Sequence, residues 1–439
     1  MLSAVGMAVG LGNIWRFPYI MGTNGGAAFV LVYLIIMAVV STPILVMELV
    51  IGRRGQANPV DSVVNVAKES GSSPGWKIIG YLGVIINTLT LFFYFVVAGW
   101  VLAYVPKMLN GSLVTDSSDT VAASYEALLA DPLLVIFWQT VCIVFVAGVL
   151  LKGVKGGLEK AMNVMMPMLF VLLLLLVGIA CSVGDLSATF RFLFTFDASD
   201  ITPQVFVSAL GQAFFTMGVG AGAAIVLGSY LDKNRFSLAR SGVGIAVADT
   251  AVALLAGFAV FPIVFAEGIS PSLGEELVFI VMPLAFAKVP FGAWIYTLFM
   301  AMLSVAALTS AIVIFEIPLT WVVEGLRMSR RAAIVLLAGI LWVGAMLTSF
   351  SFNILRDFHP LSAIERFETS TIFDLILVVC FEMLLPMGGL LVVVFFSHYV
   401  DKKIALDELG WSEDRYTGLL YMHVRYVIPI AIVAMVVLS

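Results

Sequence analysis

Charge is what this sequence has least of. Of 439 residues only 12% are Asp, Glu, Lys or Arg, about half the share usual in a soluble domain. Hydrophobic residues make up 62%, and the mean hydropathy is +1.09. A surface this poor in charge has lipid, not water, as its solvent. Cysteine is nearly absent: Cys142, Cys181 and Cys380 sit far apart inside apolar runs, which excludes a disulfide frame and a zinc site. The three histidines stand at no metal-ligand spacing. With a net charge of −5 and no basic stripe, nucleic acid is excluded as a partner. The apolar–polar alternation of an outer-membrane barrel is missing too, because runs such as residues 164–180 are continuous. A basic leader with a cleavage site is also lacking.

What these absences leave is an all-α polytopic membrane protein. Each crossing needs about 20 apolar residues. Reading the runs between helix breakers gives eleven spans, near residues 1–20, 27–51, 76–106, 133–151, 161–183, 204–231, 241–264, 293–326, 332–350, 371–400 and 416–438. An amphipathic stretch near 275–288 reads as a helical loop insertion. Basic residues gather in the loops after even-numbered spans, among them Arg53, Arg54, Lys152, Lys155, Arg327, Arg330, Lys402 and Lys403. The opposite loops hold only Lys107, Arg191, Lys288, Arg356 and Arg366. The bias predicts a plasma (inner) membrane protein with its amino terminus cytoplasmic and its carboxyl terminus outside. Only five residues precede Gly6, so span one is too short at its start to reach the cytoplasm, and the expected start of the chain lies upstream.

Glycine marks two of these spans. Span one contains Gly6-Met-Ala-Val-Gly-Leu-Gly-Asn13 and span six contains Thr216-Met-Gly-Val-Gly-Ala-Gly222. Each opens a block of five spans, and an odd number of spans separates their starts. That arrangement predicts two halves of opposite topology, residues 1–200 and 201–400, followed by a linker and span eleven over 401–439. Paired glycine-interrupted spans at corresponding positions point to a transporter site. Glycine lets a helix unwind, and freed backbone groups are tolerated at membrane depth only where they face a cavity or ligand. Unwound carbonyls suit a cation, and the restarted helix attracts a carboxylate. Close helix packing also explains a glycine cluster, but two clusters in repeat register favour a site. Asp249, Glu48, Glu316 and Arg425 are intramembrane charges; acids of this kind are costly and usually functional, whereas Arg425 could equally snorkel or pair structurally and is given no transport role.

The stretch Gly10-Leu-Gly-Asn-Ile-Trp-Arg-Phe-Pro-Tyr19, followed by Asn24-Gly-Gly26, resembles the first-span signature of the neurotransmitter:sodium symporters. The likeness continues through Phe214-Phe-Thr216, Ala307-Leu-Thr-Ser310 and Leu384-Leu-Pro-Met-Gly-Gly389. Eleven spans, and a short second outer loop without a cysteine pair, are similar to the bacterial branch. The resemblance implies an inverted five-plus-five helix repeat with spans one and six broken, plus an eleventh span. It also implies sodium-coupled symport of an amino acid into the cell by alternating access.

By that resemblance a first sodium is held by the Ala8 carbonyl, Asn13, Thr216 and Asp249, with the substrate carboxylate completing the shell. A second takes carbonyls of Gly6, Val9 and Ala306 and the hydroxyls of Thr309 and Ser310. All are oxygen donors, as a hard cation requires. The substrate carboxylate is expected on the amides near Leu11 and Gly12 and on the Tyr94 phenol. Gly10 stands where monoamine members carry Asp, which implies a zwitterionic substrate. Met7, Ala8, Thr90, Phe215, Gly218, Ala221, Ser310 and Ile314 would wall the pocket. The small Gly218 and Ala221 suggest a hydrophobic or aromatic side chain, with Met7 refilling part of the volume. Chloride-dependent members place Asn at the position of Asp249 and Ser four residues on. The pair Asp249 and Ala253 therefore implies chloride independence, and no organic cofactor is expected.

Two gates differ from the family pattern. The outer gate pairs the arginine at Arg16 with an aspartate in span ten, assisted by Gln212. Here that position is Leu377, and Asp374, one turn earlier, is the expected substitute. Phe215 over Tyr94 is the expected lid. The inner gate's Trp and Arg would lie upstream of this chain, leaving Tyr230 and Glu324 to receive them. Glu48 and Glu316 resemble acids that brace the broken helices. These departures keep open a non-transporting amino-acid sensor of the same fold, and a sodium channel. No nucleophile–base pair or cofactor cradle suggests an enzyme.

Overall fold

The computed structural model describes residues 9–109, 117–232, 237–268, 270 and 277–438. Gly6, Met7 and Ala8, three of the expected site residues, lie outside them. Every regular element among the described residues is a helix. Nine are long and apolar enough to cross a membrane: Ala27–Gly55, Pro74–Met108, Pro132–Leu150, Val154–Val183, Leu238–Ala266, Gly292–Gly325, Arg330–Phe352, Ile372–His398 and Arg415–Val437. They are spans two to five and seven to eleven. The other two expected spans are the glycine-rich ones; span six is interrupted, and span one is described only from Val9 onward. Span six runs as Pro203–Met217 and Ala223–Ser229 with a non-helical stretch between. Span one bends at Val9 and Gly10, then runs through a π-turn, Gly12–Arg16, into Phe17–Thr23.

Local chemistry sets several of the boundaries. Asp131 accepts the amides of Leu133 and Leu134 ahead of Pro132, starting span four, and Thr202 accepts Val205 N ahead of Pro203, starting the first half of span six. Short helices fill the loops. Pro59–Glu69 is capped by Asn58 and Ser118–Ala130 by Ser117. The insertion expected near 275–288 is a π-turn, Leu277–Val281, leading into Met282–Ala287.

Helix neighbours reveal the internal symmetry. Span one packs on seven and span six on two; span three packs on four and nine, span eight on nine and four, and three and eight cross at the centre. Span five packs on seven and eight, as ten does on two and three. Mapping spans one to five onto six to ten exchanges these pairings among themselves, which is the inverted repeat. In the most apolar 18-residue window of each, spans three and eight have 78% and 72% of the window buried inside the protein, against 28% and 17% in five and eleven. The apolar interior divides in two. One cluster joins spans three, four, five, eight and nine with Val9 to Trp15 of span one, most of the outer half of seven and the first part of ten; the other joins two, six, Phe17 and Met21 of span one, the inner half of seven, and eleven with the end of ten.

The interruption in span six is backbone chemistry. Gly218, Gly220 and Gly222 have φ of +60°, +83° and +71°, a region L side chains avoid. A Cβ on Gly220 would lie 2.4 Å from Leu385 O and 2.6 Å from Gly389 N, and one on Gly388 would lie 2.1 Å from Gly220 O. The Pro-Met-Gly-Gly stretch of span ten is therefore the flat surface on which the loop rests. Gly220→Ala combines φ strain with backbone overlap and is expected to destabilise by about 2 kcal/mol or more. Gly148, in span four, has open space at its Cβ. Thermal unfolding in detergent checks this: Gly220→Ala should lower the midpoint, and Gly148→Ala should leave it unchanged or raise it.

Candidate functional site

Asp249, in the middle of Leu238–Ala266, is fully buried. An unpaired carboxylate at that depth would forfeit several kcal/mol of hydration. Donors from three other spans surround it. Asn13 Nδ2 of span one donates to Asp249 Oδ1 at 2.7 Å and to its carbonyl oxygen at 3.1 Å. Thr216 Oγ1 of span six donates to the same Oδ1 at 2.8 Å, and Tyr33 OH of span two to Oδ2 at 3.1 Å. Asn13, Thr216 and Asp249 thus come together as the sequence suggested. Tyr33 was not foreseen; its one signal is a phenol inside the apolar run of span two. Asn13 Oδ1 accepts the Gly10 amide at 2.9 Å and so fixes the bend that precedes the helix from Leu11 onward.

A second group lies across span eight. Ser310 Oγ meets the Val9 carbonyl at 3.5 Å. A Cβ on Gly10 would sit 1.8 Å from Ser310 Oγ and 3.6 Å from Ala306 O, so spans one and eight touch there. Thr309 behaves differently. Its hydroxyl turns back on its own helix, to Val305 O at 3.0 Å and Ala306 O at 2.9 Å.

Between these groups stands Tyr94, only 3% exposed. Its hydroxyl lies beside the Leu11 amide and Ser310 yet completes no hydrogen bond. Buried polar atoms are rarely left so. Thr90 and Ala221 are buried nearby in the same core, and Phe215 and Ile314 are half-buried. Gly12 faces the Phe215 ring, whose Cε1 would lie 3.0 Å from an added Cβ. The expected lid is not formed as a ring pair: Phe215 packs edge-on against Phe381, with centroids 4.6 Å apart, and not against Tyr94.

The freed backbone of span six is satisfied by two side chains. Glu48 Oε1 accepts Gly220 N at 3.0 Å and Gly222 N at 3.3 Å. Asn87 Nδ2 of span three reaches the Ala221 carbonyl at 2.7 Å and Gly83 O at 2.6 Å. Glu48 braces the break as expected, and Asn87 was missed because one Asn in an apolar span reads like any buried amide. Glu316 does not brace a break; it forms a two-pronged pair with Arg330 at 2.9 and 2.6 Å and receives Tyr230 OH at 3.4 Å.

Of the expected gate residues, Arg16 Nη1 donates to Gln212 Oε1 at 2.7 Å, and Gln212 Nε2 to Gly12 O at 2.8 Å. Asp374 does not substitute for the family aspartate. Its carboxylate closes a capping box with Thr371, accepting Thr371 N at 2.9 Å and Oγ1 at 2.7 Å. Arg16 makes no ion pair among the described residues. Glu324 accepts Asn58 N at 2.7 Å and Nδ2 at 3.2 Å, so the loop after span two already occupies it. Arg425 donates to His398 Nε2 at 3.0 Å, away from the site.

The chain matches the model of the Sodium:neurotransmitter symporter family over residues 1–127 and 129–438. It is 33% identical to an uncharacterised sodium-dependent transporter of Bacillus subtilis, over 98% of this chain and 94% of the relative. A second uncharacterised sodium-dependent transporter, of Haemophilus influenzae, is also 33% identical, again over 98% of this chain and 94% of the relative. The crystal structure of MhsT in complex with L-phenylalanine superposes with a TM-score of 0.90 at 36% identity, covering 100% of this chain and 97% of that one.

Removing the brace tests the site's architecture. Glu48→Ala orphans two buried amides, at about 1–3 kcal/mol each, and should lower the thermal midpoint in detergent. Glu48→Gln keeps an acceptor and should recover most of the loss.

Proposed function

The chain belongs to the sodium:neurotransmitter symporter family and is a multi-pass, sodium-dependent membrane transporter and no enzyme; from that premise we propose that it imports a neutral hydrophobic or aromatic amino acid, independently of chloride. The observation that carries the substrate reading is the buried Tyr94 hydroxyl without a partner beside the Leu11 amide. A carboxylate needs such donors, and an amide at the restart of a helix adds the favourable end of its dipole. Gly10 supports a substrate that brings its own carboxylate, and an added Cβ there would lie 1.8 Å from Ser310 Oγ and 2.9 Å from Ser310 Cβ. The binding of L-phenylalanine by MhsT supports an aromatic side chain.

In this reading Asn13, Thr216 and Asp249, with the Ala8 carbonyl, hold the first sodium, and the substrate carboxylate completes the shell. Val9, Ala306, Thr309 and Ser310, with Gly6, hold the second. Met7, Thr90, Phe215, Gly218, Ala221 and Ile314 wall the pocket. A fixed carboxylate at Asp249 supplies the negative charge that chloride supplies elsewhere in the family. Spans one, two, six and seven rock together against the rest, in halves bounded at residues 200 and 400. Two sodium ions entering with a zwitterion gain about 4.6 kcal/mol from a 100 mV potential. That alone supports accumulation by roughly a thousand-fold or more.

Uptake of labelled amino acids into proteoliposomes tests the proposal. An inward sodium gradient should drive accumulation of phenylalanine, tyrosine or leucine, and replacing chloride by gluconate should change nothing. Sodium-dependent binding without accumulation would select a sensor instead. Tyr94→Phe removes a hydrogen bond to a charged group and should raise KM by about tenfold or more.

A further inference from the structure

Resting on the reading of this chain as a transporter, we propose that its outer gate is closed by aromatic rings, with Phe381 acting where the family uses a carboxylate. Arg16 must keep its charge company inside a largely apolar cleft. Its guanidinium carbon lies 5.0 Å from the Phe215 ring centroid and 5.2 Å from that of Phe381. The two rings meet edge to face at 4.6 Å and form the two walls beside the guanidinium. Among the described residues Gln212 supplies its hydrogen-bond acceptor, at 2.7 Å.

The nearby acids are committed elsewhere. Asp374 caps its own helix through Thr371, and Glu382 pairs with Arg366 at 2.6 Å. Leu377, at the family's aspartate position, lines the same cavity of about 350 Å³ and offers a cation nothing. Span ten widens into a π-turn over Val379–Leu384. Such a turn re-aims the side chains it carries, and here it carries Phe381 to Arg16 and Glu382 to Arg366. A cation over a ring gains as water leaves, whereas an exposed ion pair fades with salt. Closure of this gate is therefore nearly independent of ionic strength. Phe381 is a positioning residue: it touches Arg16 and Phe215, which sit over the site.

The test reads the gate without needing a substrate. A single reporter, Ile314→Cys, half-buried against the same core as Phe215, is placed in protein carrying Cys142→Ala, Cys181→Ala and Cys380→Ala. Its modification by a membrane-impermeant thiol reagent is timed in sodium. Phe381→Leu should speed modification by about tenfold, and Phe381→Tyr should not. Adding Leu377→Asp to Phe381→Leu should restore the slow rate by creating the ion pair, and that rate should now rise with salt. Equal rates for Phe381→Leu and the parent would overturn the proposal, as would Phe381→Tyr matching Phe381→Leu, or no rescue by Leu377→Asp. Uptake by the unsubstituted protein, measured alongside, separates the two claims. Ring-dependent modification without uptake would keep the gate and remove the transport reading. Uptake with ring-independent modification would do the reverse.

Discussion

A single buried carboxylate organises this protein. Asp249 cannot sit ionised in a membrane core without compensation, and its partners are Asn13, Thr216 and Tyr33. Those residues belong to spans one, six and two, while Asp249 is in span seven. Four helices are thereby tied by one charge, and they are the four that the proposed mechanism moves together. The apolar interior does not divide along that line, because Val9, Leu11, Ile14 and Trp15 of span one and Val252, Ala256 and Val260 of span seven share one cluster with spans three, four, five, eight and nine.

The broken helix in span six obeys the same rule of complete hydrogen bonding. A membrane offers no water to loosened amides and carbonyls, so the protein supplies substitutes. Glu48 takes two amides, Asn87 a carbonyl, and the glycines of span ten let the loop lie flush. Several buried side-chain polar atoms among the described residues stay outside this pairing, Glu48 Oε2 and Trp15 Nε1 among them. The Tyr94 hydroxyl is left open between Leu11 and Ser310, at the place where a ligand would complete it.

Much of this was legible in the residues. Continuous apolar runs marked the spans, and paired glycine clusters marked spans one and six as broken. The signature from Gly10 to Tyr19 placed Asn13 and Arg16 at the family's positions. Other features depend on long-range pairing that no local pattern encodes. Tyr33 and Asn87 look like ordinary residues until Asp249 and Ala221 arrive from distant spans. Asp374 is one turn from Leu377, yet Thr371 precedes it by three residues and claims it as a cap. Span ten's π-turn shifts side-chain directions in a way that counting at 3.6 residues per turn cannot follow. Glu316 was expected at a helix break, but Arg330 lies fourteen residues on and takes it.

The central claim is that Asn13, Thr216 and Asp249 form a cation site. The most direct measurement is a crystal structure with thallium in place of sodium and L-phenylalanine present. The account predicts an anomalous peak among these three side chains, with Tyr33 still donating to Asp249 and the phenylalanine carboxylate on Tyr94. No peak there, with Asn13 and Thr216 still bonded directly to Asp249, would contradict it.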